Sequence, residues 1–255
     1  MHNNFQKVLS VSKWTENLFS FKITRPKDFK FKSGEFVMIG LPDKNKPILR
    51  AYSICSPNWA DELEFYSIIV ENGPLTSKLK NIKINDEIIL MTKSTGTLIL
   101  DALLPGKRLF LFSTGTGFAP FASLIRDPET YEKYEQIIVT HTCRNVNELD
   151  YSNSIINECN TNEIYHELID NKLIFYQTTT REKSNFFGRI TEKLINNSFY
   201  DDLKIFPINP EKDRAMICGS LEFNTDLKKI LLESKFKEGA TNKPGEFVLE
   251  KAFVG

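Results

Sequence analysis

Apolar positions follow one pattern up to about residue 100 and a different pattern after it. Between residues 5 and 100, short apolar and aromatic runs alternate loosely and end at turn residues such as Ser33-Gly34. Several short strands at this spacing predict an antiparallel β-barrel of the Greek-key type, as a first domain over 1–104. A short helix is expected to interrupt it over 73–82, where three apolar residues keep helical spacing.

Beyond residue 105 the pattern alternates between strands and helices. An apolar strand, a glycine-rich turn and a helix come first, as in the opening of a nucleotide-binding α/β unit. Such alternation predicts a Rossmann-like parallel sheet over 105–255, with ligands at the carboxyl ends of its strands. Further strands are predicted over 137–143, 173–180, 215–220 and 245–255, and helices around 147–160, 189–197 and 222–234.

The bulk composition excludes several classes of protein. Lys+Arg and Asp+Glu are both 33 in 255 residues, so no global field favours nucleic acid or an anionic membrane. No apolar run approaches the roughly 20 residues of a membrane span, and no secretory signal opens the chain. We therefore expect a cytoplasmic protein with no nucleic-acid partner and no membrane span, and we take a monomer as the default.

Cysteine and histidine residues show no metal-binding pattern. The four cysteines are far apart and lack iron–sulfur spacing, which favours reduced thiols. His141 follows an apolar run, where a packed core residue is more common than a ligand. We predict no metal site.

Residues 46–57 contain the strand with the strongest chemical signal. Arg50 and Tyr52 alternate with Ala51 and Ser53, so each pair shares one face of an extended strand. A guanidinium, an aromatic ring and a small hydroxyl suit a planar, anionic, aromatic ligand. The alternative, a surface strand that ends at a turn, stays open at this point.

The predicted helix at 73–82 begins with residues suited to phosphate binding. Gly73 permits close backbone approach, and Thr76 and Ser77 place hydroxyls near free N–H groups. The alternative is an ordinary helix cap. Because Arg50 also favours a phosphate, we prefer the first interpretation.

A second set of ligand residues is expected at the edge of the parallel sheet. The turn Thr114–Gly117 departs from the usual dinucleotide fingerprint, because Pro120 holds the position of its third glycine. Three arginines follow predicted strands or the loop after a strand. We prefer to interpret them as a clamp for the 2′-phosphate of NADP rather than as solvated surface charges. These arginines are Arg144, Arg181 and Arg189.

In this order and spacing the motifs are specific. They are RAYS (50–53), GPLTS (73–77), GTGFAPF (115–121), CR (143–144), TTTRE (178–182), GRIT (188–191), MICGS (216–220) and the terminal VLEKAFVG. The chain resembles the ferredoxin/flavodoxin–NADP(+) reductases of bacterial type over essentially its whole length. The resemblance implies FAD in the barrel, NADP(H) in the α/β domain, and ferredoxin or flavodoxin as a transient electron-carrier partner.

The same resemblance implies roles for individual residues toward FAD. Arg50 would pair with the diphosphate, Tyr52 would flank the isoalloxazine, and Ser53 would lie near flavin N5. Ala51 belongs to the same motif. The other implied FAD contacts are Phe65, Tyr66, Ser67, Ile68, Gly73, Leu75, Thr76 and Ser77.

Toward NADP(H), the resemblance implies two groups of contacts. Thr116, Gly117 and Pro120 would lie against the nicotinamide nucleotide and its diphosphate, while Cys218 and Gly219 would approach the nicotinamide. The three arginines would hold the 2′-phosphate, Thr180 of the TTTRE motif is a further implied cofactor contact, and Ala252 and Phe253 would cover the flavin. The expected catalytic residues are Ser53, Cys218, Glu250 and Phe253.

Some of these roles have alternatives. Glu250 would relay a proton or be a surface strand charge, and Phe253 would cover a ligand or pack in the core. Cys218 is expected to shape the nicotinamide pocket, since no paired base accompanies it. Unlike plant-type members, the chain does not end in tyrosine.

Two other functions stay open. One is a free-standing NADPH-dependent flavoenzyme that reduces other acceptors. The other is a non-catalytic flavin- or nucleotide-binding subunit that senses redox state.

Overall fold

The computed structural model describes residues 4–42, 47–162, 166–169 and 171–251. These residues form two compact units, the first from 4–96 and 119–127 and the second from 97–118 and 128–251. The first unit therefore includes a segment that lies beyond the domain boundary expected between residues 104 and 105, and that boundary stays a prediction.

The first unit contains six antiparallel strands. They are β1 (Asn4–Lys13), β2 (Leu18–Thr24), β3 (Phe36–Leu41), β4 (Ile48–Ser53), β5 (Glu62–Ile68) and β6 (Glu87–Thr95). Their order is β4-β3-β6-β1-β2-β5, and a bridge between Ile54 and Phe65 joins the two ends of this sheet. The predicted antiparallel barrel is confirmed.

Two-residue alternation explains how the strands build the barrel core. On β2, Phe19, Phe21 and Ile23 are buried, whereas Lys22 between them is exposed. The ring of Phe21 lies 5.5 Å from that of Phe65 on β5, its partner in the register. Alternate apolar side chains of neighbouring strands thus meet on one face of the sheet.

The first helix, α1 (Thr76–Leu79), is shorter than the predicted segment 73–82. Its apolar residues Leu75, Leu79 and Ile82 are buried, as the helical spacing indicated. The segment does not continue as an α-helix, because Ile82 N–H donates to the Leu79 carbonyl three residues before it. The last part is therefore a tight turn.

The second helix, α2 (Ala119–Leu124), belongs to the first unit. Ser123 Oγ donates to the Ser56 carbonyl at 2.7 Å. The buried Arg126 donates to the Cys55 carbonyl at 2.8 Å and to Glu64 at 3.0 Å. Polar contacts across more than 60 positions of sequence hold this segment to the barrel.

The second unit is built on a parallel sheet, which confirms the predicted α/β architecture. Its strands are β7 (Arg108–Thr114), β8 (Gln136–Cys143), β9 (Leu173–Thr179), β10 (Asp213–Gly219) and β11 (Phe247–Lys251), in the order β11-β10-β7-β8-β9. Its helices are α3 (Pro128–Lys133), α4 (Asp150–Thr161), α5 (His166–Ile169), α6 (Ile190–Ile195), α7 (Ser198–Leu203) and α8 (Leu221–Glu233). The short helices α3, α5 and α7 were not among those predicted.

The core of the second unit is aromatic. Phe110 and Phe112 on β7 are fully buried, and both rings pack against Phe199 of α7. Since all five strands run parallel, their carboxyl ends meet at one edge, which we call the carboxyl edge. In the described part of the chain, no helix is both long and apolar enough to cross a membrane.

Candidate functional sites of the two units

Arg50 lies on β4, a terminal strand of the first sheet, opposite Ile39. Its side chain is half-buried, and one guanidinium nitrogen donates to the carbonyl of Leu49 at 2.9 Å. Among the described residues, Arg50 forms no ion pair. The guanidinium therefore retains donors that an anionic ligand would satisfy.

Tyr52 is held firmly inside the barrel. Its hydroxyl lies 3.0 Å from Ser67 Oγ on β5, and its ring meets Phe65 edge-on at 6.3 Å. Burial raises the pKa of Tyr52 above its ordinary value, although the Ser67 hydrogen bond and the Arg50 charge oppose this. The phenol stays neutral with a fixed ring, while the neighbouring Ala51 and Ser53 are half-buried.

The other residues predicted for FAD lie on β5 and around α1. Thr76 Oγ1 accepts from Val70 N–H at 3.2 Å, so this hydroxyl is used within its own loop. A Cβ on Gly73 would collide with the same Oγ1, which explains the glycine. Ser77 is half-buried and lines a cavity of about 670 Å³ with Asn72 and Lys80. The remaining members Phe65, Tyr66, Ser67 and Leu75 are buried, and Ile68 is half-buried.

In the second unit, the glycine-rich turn Gly115–Phe118 follows β7 directly. A Cβ on Gly117 would collide with the Cys218 carbonyl, and one on Gly219 with Thr114 Oγ1. Ser220 N–H also donates to Thr114 Oγ1 at 3.3 Å. The turn after β7 therefore packs against the carboxyl end of β10, which brings the predicted residues Gly117, Cys218 and Gly219 together.

Thr116 and Pro120 complete the predicted turn residues. Thr116 is half-buried within Gly115–Phe118, in the second unit. Pro120 is buried in α2, in the first unit.

His141, expected only as a core residue, contacts the glycine-rich turn. Its Nε2 lies 2.9 Å from the Gly115 carbonyl oxygen, and its Nδ1 lies 2.8 Å from Ser152 Oγ. Burial lowers the pKa of His141 to about 4, so the ring is neutral at physiological pH. A sequence signal for this contact did exist, because the histidine lies in an apolar strand next to the strand that precedes the turn.

The structure brings two of the predicted arginines together. Arg181 N–H donates to the Arg144 carbonyl at 2.9 Å, and Thr180 N–H donates to the Cys143 carbonyl at 3.0 Å. Both arginine side chains are exposed, and within the described residues neither forms an ion pair. Arg189 precedes α6 and pairs with Glu222 at 3.1 Å, where both side chains are more than half exposed.

Cys218 and Glu250 face each other on β10 and β11. Burial and the Glu250 charge raise the pKa of the Cys218 thiol far above its ordinary value, so it stays protonated. Glu250 is half-buried and accepts from the backbone N–H of Thr97 and, at 3.0 Å, from its hydroxyl. Ala252 and Phe253 lie outside the described residues.

Comparison with known proteins identifies both units. Residues 4–97 match the family described as oxidoreductase FAD-binding domain, and residues 111–229 match the oxidoreductase NAD-binding domain.

Individual relatives match over nearly the whole chain. The flavodoxin/ferredoxin–NADP reductase of Rhodobacter capsulatus is 56% identical over 251 residues, which cover 98% of this chain and 93% of the relative. The ferredoxin–NADP reductase of Azotobacter vinelandii is 46% identical, with 98% of each chain covered. The solved ferredoxin NADP+ reductase of Neisseria gonorrhoeae, with bound FAD and NADP, gives a TM-score of 0.90 at 29% identity and covers 99% of this chain and 100% of the other. This chain therefore belongs to the ferredoxin/flavodoxin–NADP reductase family.

Proposed function

We propose that this protein exchanges electrons between NADP(H) and a ferredoxin or flavodoxin, with FAD bound in the first unit and NADP(H) in the second. The relatives that carry these activities in their names align with 98% of the chain at 46–56% identity. Bound FAD would supply the conversion between two-electron and one-electron transfer. The contribution of the chain is to bind, orient and shield the reactants.

The first unit fits an FAD diphosphate at Arg50. This guanidinium is half-buried on a terminal strand and has no carboxylate partner among the described residues, so a diphosphate would satisfy its remaining donors. We assign the flavin ring to the neighbourhood of Tyr52 and flavin N5 to Ser53. Because Ser67 and Phe65 hold the Tyr52 ring in one orientation, a flat ligand would meet a prearranged surface.

We assign the phosphate contacts near α1 mainly to Ser77 and the backbone. The Thr76 hydroxyl accepts from Val70 N–H and donates to the Val70 carbonyl, so it is less suited to bind a ligand. Ser77 is half-buried at the cavity that Lys80 also lines. Glu71 lines this cavity as well and offsets the Lys80 charge, so the assignment rests on the Ser77 hydroxyl and the backbone rather than on net charge.

The observation that carries the choice of NADP(H) over NAD(H) is the pair Arg144 and Arg181. Hydrogen bonds between their backbones place both residues at the carboxyl edge, where each side chain is exposed and has no ion-pair partner among the described residues. Two guanidinium groups at this position suit a phosphate dianion. Arg189 would join them on release from its exposed partner Glu222, since such surface pairs are weak.

We assign the nicotinamide to the carboxyl ends of β7 and β10, where the buried residues Gly117, Cys218 and Gly219 lie together. Both glycines lie tight against neighbouring atoms of their own unit, where a Cβ would collide, so larger residues are excluded at these positions. Because its pKa is raised, the Cys218 thiol stays protonated and adds neither a charge nor a nucleophile there. The proton relay expected of Glu250 stays a prediction, and the contact with Thr97 gives this carboxylate a second role in holding β11.

A stopped-flow experiment tests the proposed function. FAD-loaded protein is mixed with NADPH and then with purified ferredoxin or flavodoxin, and absorbance follows both steps. We expect NADPH to bleach the flavin and at least one carrier to be reduced. Bleaching without reduction of either carrier would favour a reductase of other acceptors, and a flavin that NADPH does not bleach would favour the non-catalytic subunit.

The variant Arg50→Ala tests the FAD site independently of the electron carrier. Loss of its charge-assisted contacts should weaken FAD binding by roughly 1.5–3 kcal/mol, so the variant should purify with substoichiometric flavin. Arg50→Lys is the matched control, and it should retain more flavin because it keeps the charge without the planar fork. A fully loaded Arg50→Ala protein would refute the assignment.

A further inference from the structure

We propose that His141 is a positioning residue for the cofactor-binding turn Gly115–Phe118, and that its Nε2–H holds the Gly115 carbonyl while Ser152 sets the tautomer. This inference rests on the proposed function, because it takes the turn as part of the NADP(H) site. It gives a functional role to a buried histidine that the sequence marked only as core.

Contacts on three sides fix the imidazole ring. Nε2 lies 2.9 Å from the Gly115 carbonyl oxygen and Nδ1 lies 2.8 Å from Ser152 Oγ. The ring also stacks on Phe118, the last residue of the turn, with centroids 5.0 Å apart and planes 27° apart. His141 therefore touches both the first and the last residue of Gly115–Phe118.

The hydrogen-bond inventory determines which nitrogen carries the proton. The Gly115 carbonyl can only accept, so an attractive contact requires Nε2–H. A neutral ring then has a lone pair on Nδ1, which accepts the hydroxyl proton of Ser152. In the other tautomer, Nδ1 carries the ring proton and donates to Ser152 Oγ, and the hydroxyl proton goes to the Leu149 carbonyl, which is also 2.8 Å from Ser152 Oγ. That tautomer would leave the Nε2 lone pair facing the Gly115 oxygen.

Cys143 is the one further polar group described near this nitrogen, with Sγ 3.3 Å from Nε2. A thiol is a weak donor and acceptor, and burial raises the pKa of this one, so it adds no charge. The Nε2–H tautomer is thus the arrangement that binds the turn.

Gly115 has no side chain to pack, so polar contacts position its backbone: its carbonyl accepts from His141, and a second backbone hydrogen bond joins it to Cys143. Its φ is +51°, in the left-handed region, and a Cβ built on it would find no atom within 4 Å. Its carbonyl shares one planar peptide unit with the N–H of Thr116. When His141 holds the carbonyl, the Thr116 N–H must point the opposite way. The bond therefore sets the direction of a donor that we assign to the nucleotide diphosphate.

The experiment compares His141→Phe, His141→Gln and His141→Asn in the FAD-loaded protein. Titration calorimetry measures the Kd for NADP+ and for 2′-phospho-AMP, which lacks the diphosphate-linked nicotinamide half and probes the arginines. We expect His141→Phe to bind NADP+ about tenfold more weakly, because the ring remains but its donor is lost. Binding of 2′-phospho-AMP should change less than about twofold, since no contact to the arginines is altered.

The two amide variants separate positioning from packing. Glutamine places its amide near the Nε2 position and should restore most of the NADP+ affinity, whereas asparagine reaches only the Ser152 side and should not. Thr140→Val is the matched control on the same strand. The Thr140 hydroxyl is buried with no hydrogen-bond partner in the described part of the chain, so this variant should bind both ligands normally.

Three results would overturn the proposal. They are wild-type NADP+ affinity in His141→Phe, an equal loss of both ligands, and equal NADP+ affinity in the glutamine and asparagine variants. If His141→Phe does not fold, the amide pair decides alone. Failure of the proposed function is distinguishable, because the wild-type protein would then bind neither NADP+ nor 2′-phospho-AMP.

Discussion

The two ends of the parallel sheet use arginine in opposite ways. At the amino end, Arg108 on β7 donates to both carboxylate oxygens of the buried Asp213 and to the carbonyl of Phe206. Arg214 on β10 is buried and donates to the carbonyls of Leu104 and Pro210. The chain itself satisfies these two guanidinium groups, which join strands and loops of the second unit.

At the carboxyl edge, the arginines have few or no ion-pair partners in the described part of the chain. Arg144 and Arg181 are exposed and form no ion pair within the described residues, and Arg189 has one exposed partner. The first unit repeats this contrast. Arg126 there is satisfied by Glu64 and two carbonyls, while among the described residues Arg50 donates to the carbonyl of Leu49 alone. An arginine whose donors the fold leaves available is a better ligand candidate than one that the fold has satisfied.

The largest expected effect comes from breaking the ion pair of Arg108 and Asp213 at the amino end of the sheet. Arg108→Ala leaves the fully buried carboxylate of Asp213 without its charged partner and should lower the free energy of unfolding by about 3–5 kcal/mol. Urea denaturation measures this loss. The KM ratio of NADPH to NADH should not change, and a selective loss of NADPH binding would break the distinction between the two ends.

Arg181→Ala should show the reverse behaviour. It removes a contact that NADH does not make, so the KM for NADPH should rise by roughly tenfold to a hundredfold, or about 1.5–3 kcal/mol. Steady-state kinetics with both nucleotides measures the selectivity, and the stability should stay within about 0.5 kcal/mol. Lys183→Ala, two residues further along and also exposed, is the matched control. Equal effects on NADPH and NADH would exclude the 2′-phosphate role.

His141, near the carboxyl edge, should make the free energy of unfolding of the protein depend on pH. Its pKa is about 4 in the folded protein and 6.5 when unperturbed, so the unfolded chain binds more protons between these values. The contribution of the neutral His141 to the free energy of unfolding is therefore complete above pH 6.5 and is lost as the pH falls toward 4. Between pH 7 and 5, wild type should lose about 2 kcal/mol more than His141→Gln in chemical denaturation. If the free energy of unfolding of the two proteins changes equally with pH, the histidine is not held in the neutral form by burial.

The smallest expected effect is at the centre of the same sheet. Thr140→Val replaces a buried hydroxyl, unpartnered among the described residues, with a methyl group of similar shape. The free energy of unfolding should rise or stay within about 1 kcal/mol, as thermal or urea unfolding would show. A large loss of stability would mean that this hydroxyl has a partner, such as an internal water.

Local pattern was sufficient to predict both sheets. The alternation on β2 and the apolar strand β8 indicated their burial directly, because a side-chain period depends only on backbone geometry. The edge position of Arg144 and Arg181 was also predictable, since each follows a strand and parallel strands end together. Short elements such as α7, by contrast, have too few residues for a periodic signal.

Sequence alone therefore determined the two architectures, the order of the motifs and the residue types available for an anionic, aromatic ligand. Tertiary structure decided which of those groups the fold itself uses. The ties of Arg126 to Glu64, of Glu250 to Thr97 and of His141 to Gly115 join residues 62, 153 and 26 positions apart. No periodicity encodes such pairs, because a hydrogen bond depends on where two segments meet after the sheets have formed. The same donor or carboxylate is structural when it finds a partner there and available for a ligand when it does not.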